Sequence, residues 1–271
     1  MNTKNFMSVL LLFITFYTFS QDNLYSSLTI APELKENANA TIRSHDVLIE
    51  LHSSTNMTVK SKRIITVYNK NGLYHLDSYE SYNSFVKVKS INARVYNDYG
   101  EEIRRFKKKD FKDYSNSGTS LVSDSRYLAL DYTPTEYPFT FVFEVETDWT
   151  TTAFIPTWNP IEGYFVSTQH SSFKVNYNSS KEKIRIKEKN LLEFNVKNNS
   201  SLSQLSYEAN NLPAIKPESL TPSINDITPQ VLVALSKFKL VNVDGVANNW
   251  KEFGKWRYEE MVLGRDGLLQ T

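Results

Sequence analysis

The sequence predicts an all-β protein: an antiparallel β-sandwich of two packed β units, with an N-terminal signal helix and a short C-terminal helix. Three observations lead there. Apolar and polar residues alternate with period two along most of the chain, and β-branched residues are frequent in those runs, as in half-buried strands. About ten such runs follow one another at hairpin spacing with no helical pattern between them, which is the layout of a sandwich. Cysteine is absent and 13% of residues are aromatic, so burial rather than a disulfide framework must hold the fold.

Residues 1–20 stand apart. Lys4 gives a positive start, residues 6–19 (FMSVLLLFITFYTF) are nearly all apolar, and Ser20-Gln21-Asp22 follow. A charged start, an apolar core of about 7–15 residues and a small residue at the cut make a secretory signal peptide. A membrane-spanning helix needs about 20 apolar residues. The expectation is export to the periplasm or cell surface of a Gram-negative-type bacterium, with no stable membrane span after cleavage. No cysteine follows the apolar core, which excludes a lipid anchor attached at one.

The first β unit is expected over residues 21–152. "HDVLIEL" (45–51) and "MTVKSKRIITVYN" (57–69) alternate cleanly, and Lys70-Asn71-Gly72 supplies a turn, since Asn and Gly tolerate positive φ. "FVKVKSINARVYN" (85–97) is the next strand, with Asp98-Tyr99-Gly100 as its turn. "EEIRRFKKKDF" (101–111) follows, with Ile103 and Phe106 facing inward. A Ser-rich loop (114–125) precedes "RYLALDY" (126–132). "PFTFVFEVETDW" (138–149) is the cleanest strand, placing Phe139, Phe141, Phe143 and Val145 on one face.

A second unit is expected over residues 153–245. After "IPTWNPIEGY" (155–164) come "SSFKVNYN" (171–178), "EKIRIKEK" (182–189), "LLEFNVKN" (191–198) and "SQLSYEANN" (203–211). Residues 212–229 are proline-rich and expected to be irregular. "QVLVALSKF" (230–238) reads as a strand from its flanking proline and branched residues. The tail, residues 246–271, changes character: Asn248 or Asn249 is an N-cap, and Glu252 lies three residues past Asn249, as a capping-box partner should. Trp250, Phe253, Tyr258 and Met261 recur at helical spacing and Gly264 ends the run. A lone helix with such a face must pack on something: the β unit, or a part beyond Thr271.

Thirty-one basic and thirty acidic residues give a formal charge of +1, and nothing global calls for nucleic acid. One basic run, Arg104-Arg105-Phe106-Lys107-Lys108-Lys109 with Lys112, could meet phosphate-bearing lipid or polysaccharide, or guard a strand edge. His45, His52, His75 and His170 lack metal-site spacing, so no metal is expected. There is no G-x-S-x-G, and Glu101-Glu102, as strand neighbours, point apart and make a weak hydrolase pair. No phosphate loop is present and no cofactor is expected. Aromatics carry the binding hypothesis. Tyr79 and Tyr82, near Tyr74, and Trp149 and Trp158, which bracket the link between the strand groups, could stack on sugars or peptides, or fill the core.

The order of several segments resembles a known family. "SKRIITVYNKNG", "VKVKSINARVYNDYGEEIRRF", "SDSRYLALDYTPTEYPFTFVFEVE", "IPTWNPIEGYFVSTQHSSFKV" and "LPAIKPESLTP" together resemble the secreted bacterial domain of unknown function 3857. That domain typically precedes a transglutaminase-like domain, and the tail "WKEFGKWRYEEMVLGRDGLL" is similar to the helix that leads into it. The resemblance implies a transglutaminase-like partner domain in cis beyond Thr271, using a cysteine, a histidine and an aspartate on peptide amides. This chain has no cysteine, so no catalytic residue is carried over to any position. The expectation is a non-catalytic exported module, not itself an enzyme, that supports or presents substrate to that domain. The alternative is a stand-alone β-sandwich that binds an envelope glycan or peptide.

Overall fold

The structure, a computed structural model, describes residues 24–116 and 124–265. The expected signal segment therefore lies outside the described residues, as do the middle of the Ser-rich loop and the last residues of the tail. In chain order the strands are β1 (Ala40–Ser53), β2 (Asn56–Val67), β3 (Tyr79–Tyr82), β4 (Val86–Tyr96), β5 (Glu102–Lys107), β6 (Lys112–Ser115), β7 (Arg126–Ala129) and β8 (Phe139–Trp149). They continue as β9 (Val166–Asn176), β10 (Ile184–Lys189), β11 (Lys197–Asn198), β12 (Gln204–Leu212), β13 (Gln230–Leu235), β14 (Lys237–Leu240) and β15 (Val243–Val246). The all-β expectation is met.

One eight-stranded sheet, ordered β11-β12-β9-β1-β2-β8-β4-β5, forms the backbone of the molecule. Its pairs are antiparallel except β1–β9, which is parallel, with Ile49 opposite Val175. Residues 150–165 cause this: the chain leaves β8, crosses the sheet face and re-enters beside β1. Strands from both expected units thus share one sheet.

The inner face of β2 shows how that sheet is covered. Met57, Val59, Ser61, Arg63, Ile65 and Val67 alternate onto it, because side-chain period is two. Ile65 and Val67 join Ile42, Val95, Phe141 and Leu128 in a core roofed by the three-stranded sheet β3-β7-β6. Met57 and Val59 join Ile49, Phe173, Tyr207, Trp158 and Phe238 in a second core, roofed by β10–β13, the 155–164 link and the C-terminal elements. Ser61 and Arg63 stand in the seam between the two roofs.

Among the described residues, the outer face is covered at one end only. Leu24 and Tyr25 pack on Ile64, Tyr96 and Val142 there. Arg43, wholly buried, donates to the Ser26 carbonyl at 2.6 Å, Thr29 Oγ1 at 2.8 Å and Gln169 Oε1 at 2.6 Å. The remainder of that face carries ion pairs such as Arg94–Glu144 at 3.0 Å and Lys89–Glu146 at 2.9 Å.

Several local expectations need correction. The strand expected over 191–198 survives only as Lys197–Asn198. Asn190 and Asn195 take positive φ (53° and 51°), which turns the chain instead of extending it. Ile103, expected inward, is 54% exposed. The β4–β5 register jumps from Val95↔Arg104 to Tyr96↔Glu102, so Ile103 is an unpaired bulge residue. The Lys70–Gly72 turn opens a short 3-10 helix, Lys70–His75, capped by the Asn69 side chain.

The tail helix forms over Trp250–Arg257, with Asn249 Oδ1 accepting from Glu252 N at 3.0 Å, and then widens over Tyr258–Val262. It packs on the β unit. Its buried residue is Trp256, set edge-on to Phe238 at 4.9 Å with Phe253 beside it, whereas Trp250 is 86% exposed and Tyr258 points outward. No helix among the described residues is long and apolar enough to cross a membrane.

Candidate functional site

Both ends of the seam between the roofs are chemically distinctive. At one end lies an open cavity of about 360 Å³. β3 contributes Glu80 and Tyr82, two residues apart and so on one face; β8 contributes its last inward residue, Trp149. The far wall is Phe154 with Leu240 and Val241 of the β14–β15 turn. That wall is anchored: Thr152 N and Ala153 N donate to the Lys239 carbonyl at 2.9 and 3.1 Å, and Thr151 Oγ1 donates at 2.8 Å. Val241 takes φ 58°, a strained setting for a β-branched residue, and stands partly exposed at the rim.

Glu80 is the only charged residue among the described residues lining this cavity. Its side chain has no hydrogen bond or ion pair among the described residues, and burial pushes its carboxyl up to about 7. Neighbouring charges are already satisfied. Arg126 donates to Tyr82 Oη at 3.2 Å and to Asp113 at 3.0 Å, and Asp124 accepts from Ser84. The site therefore offers two aromatic faces, aliphatic rim groups and one uncompensated carboxyl that is partly ionised near neutral pH.

The other end of the seam holds a polar clasp. Arg63, 5% exposed, donates to Glu162 Oε2 at 2.7 Å and to the backbone carbonyls of His75 and Leu76. His45 Nδ1 lies 2.7 Å from Glu162 Oε1, and its Nε2 lies 3.1 Å from Ser61 Oγ. Burial alone would raise the Glu162 carboxyl, but the Arg63 charge and the His45 hydrogen bond outweigh it and hold the group far below the usual carboxylate range. An ionised Glu162 accepts only, so His45 donates from Nδ1, while its Nε2 faces the Ser61 hydroxyl. That is the connectivity of a Ser-His-Glu triad. The Ser61 end lies in regular sheet: β2 is paired on both sides, Val47↔Ser61 and Ser61↔Val145. The clasp ties the 155–164 link to β1 and β2.

Of the residues singled out from the sequence, Tyr82 and Trp149 meet in the cavity, each half-buried and each backed by a different core. Tyr79 lies on the opposite face of β3, 54% exposed, edge-on to Tyr127, which stacks on Tyr114. Trp158 is 3% exposed, stacks on Phe173 at 6.3 Å and donates from Nε1 to Ser171 Oγ at 2.9 Å; it serves the core and offers no surface platform. Glu101 and Glu102 are held apart by Asn97 and Arg105. The basic run lies along edge strand β5, where Lys108 Nζ donates to the Val88 carbonyl and Arg105 pairs with Glu102. No cluster of three or more metal-ligating side chains occurs among the described residues. Glu80 was missed, although "YESY" already places it on the face of Tyr82.

The fold and seam define an all-β sandwich with an apolar cleft between its roofs. Residues 53–216 match the family described as "Domain of Unknown Function with solved-structure structure (DUF3857)". That span exceeds half the chain, and the chain belongs to this family. No curated protein matches it. Among solved structures, it is similar to the crystal structure of a protein described as a "putative protease" from Parabacteroides distasonis, with 13% identity and a TM-score of 0.53. The similarity covers 72% of this chain and 40% of that one, and at this identity it establishes a shared fold alone.

Proposed function

We propose that the chain is a non-catalytic module of an exported protein, which supports or presents peptide substrate to a transglutaminase-like domain in cis. One observation carries this reading: the cavity rim and the C-terminal helix share one support. Leu240 and Val241 line the cavity, and the same β14–β15 hairpin holds the helix through Phe238–Trp256 packing and a 2.9 Å bond from Trp256 Nε1 to the Asp244 carbonyl. A peptide seated against Trp149 would thus be fixed relative to that helix. The chain has no cysteine, so in this reading thiol chemistry belongs to the partner domain, and residues 1–20 support the export reading. The second reading, a stand-alone envelope glycan- or peptide-binding sandwich, draws on the same Tyr82–Trp149 pair.

The test assays amidase and peptidase turnover by this chain alone and by the longer product encoded when its reading frame is followed past Thr271. The expected outcome is no turnover by the chain alone, and a raised KM with little change in kcat when Trp149→Ala is placed in the longer protein. Turnover by the chain alone, or a Trp149→Ala variant with unchanged KM, would contradict the reading.

A further inference from the structure

Resting on the substrate-presenting reading, we propose that the seam cavity takes one particular kind of side chain: an aliphatic stem ending in a primary ammonium, carried on an extended peptide. The stem would lie along Tyr82, Trp149 and Phe154, and the ammonium would sit on the Glu80 carboxylate.

Charge complementarity selects this occupant. The lining is apolar apart from Glu80, Ser, Thr and Asn groups. A carboxylate held among apolar groups with no cation is costly to keep ionised, and burial alone accounts for its raised pKa. The nearby charged groups do not compensate it. Arg126 of β7 is committed to Tyr82 and Asp113, and Asp124 to Ser84. Lys239 of β14 is absent from the lining. A purely apolar occupant would close over Glu80 and leave it desolvated and unpaired, a cost that weakens its binding. An ammonium removes that cost, and lysine-type stems bury readily along apolar surface while keeping the charged head on a polar group. Tyr82 and Trp149 add ring faces suited to a cation.

The experiment compares short extended peptides that are identical except for lysine, Nε-acetyl-lysine or norleucine at one position, titrated into the chain and followed by tryptophan fluorescence and calorimetry. Wild type is expected to bind the lysine peptide about tenfold or more tightly than the acetylated one, the scale of a charge-assisted contact. Glu80→Gln should erase that preference while leaving the norleucine peptide bound, which also shows that the variant is folded. Equal binding of the lysine and acetyl-lysine peptides, lost in Trp149→Ala, would overturn this inference and keep the presenting reading. A lysine preference that survives in Glu80→Gln would overturn the role of Glu80. No binding of any peptide would remove both.

Discussion

Glu80 and Glu162 show how two carboxyls in one seam are driven in opposite directions. Burial without a partner raises Glu80 from its ordinary value near 4.5 to about 7, so the folded state holds a proton that the unfolded state releases between those values. Stability then falls as pH rises through that window. Glu80→Gln removes the penalty and should stabilise the fold at pH 8 by up to about 3 kcal/mol, with little change at pH 4; denaturant unfolding at both values checks this. Glu162, held down by Arg63 and His45, contributes stability that is present above the ordinary carboxylate range and lost on acidification below it. Glu162→Gln leaves Arg63 buried without its counter-charge and should cost about 3 kcal/mol at pH 7. At this scale the sequence was half legible. It marked Tyr82 and Trp149, but residue type alone could not separate Trp149 at the seam from Trp158 in the core, because neighbours decide exposure. Glu80 escaped because a polar strand residue is ordinarily assigned to solvent, whereas here Glu80 shares with Tyr82 the face of β3 turned to the seam and Tyr79 takes the exposed face.

Single elements follow their sequence signals wherever the signals are local. β1, β2, β4 and β8 sit where period-two alternation put them, and Asn249 caps the tail helix as its side chain allows. The misses arise from backbone settings that alternation does not carry: positive φ at Asn190 and Asn195, and a bulge at Ile103. Of the face that the tail's spacing suggested, Phe253 and Met261 pack on the core while Trp250 and Tyr258 stay exposed, and Trp256, outside that set, finds Phe238. That docking depends on Gly245, where a Cβ would come within 2.5 Å of the Phe238 ring and 2.9 Å of Trp256. Gly245→Ala should therefore lift the helix from the hairpin and destabilise the fold by about 1–3 kcal/mol. Faster amide exchange confined to residues 250–257 and the β14–β15 hairpin would be its signature.

The whole molecule was the least legible scale. A parallel β1–β9 pair between strands far apart in sequence leaves no local mark, and it merges the two expected strand groups into one sheet. The seam exists only because two roofs from different parts of the chain meet over that sheet, with the clasp at one end and the cavity at the other. In the proposed reading this arrangement gives the module its place for a substrate, so the most direct measurement is an NMR titration of the chain with a short lysine-bearing peptide. Shifts confined to Glu80, Tyr82, Trp149, Phe154 and Leu240, and abolished by Trp149→Ala, are the predicted result. Perturbation centred instead on the Tyr79–Tyr127–Tyr114 cluster, or none at saturating peptide, would contradict the account.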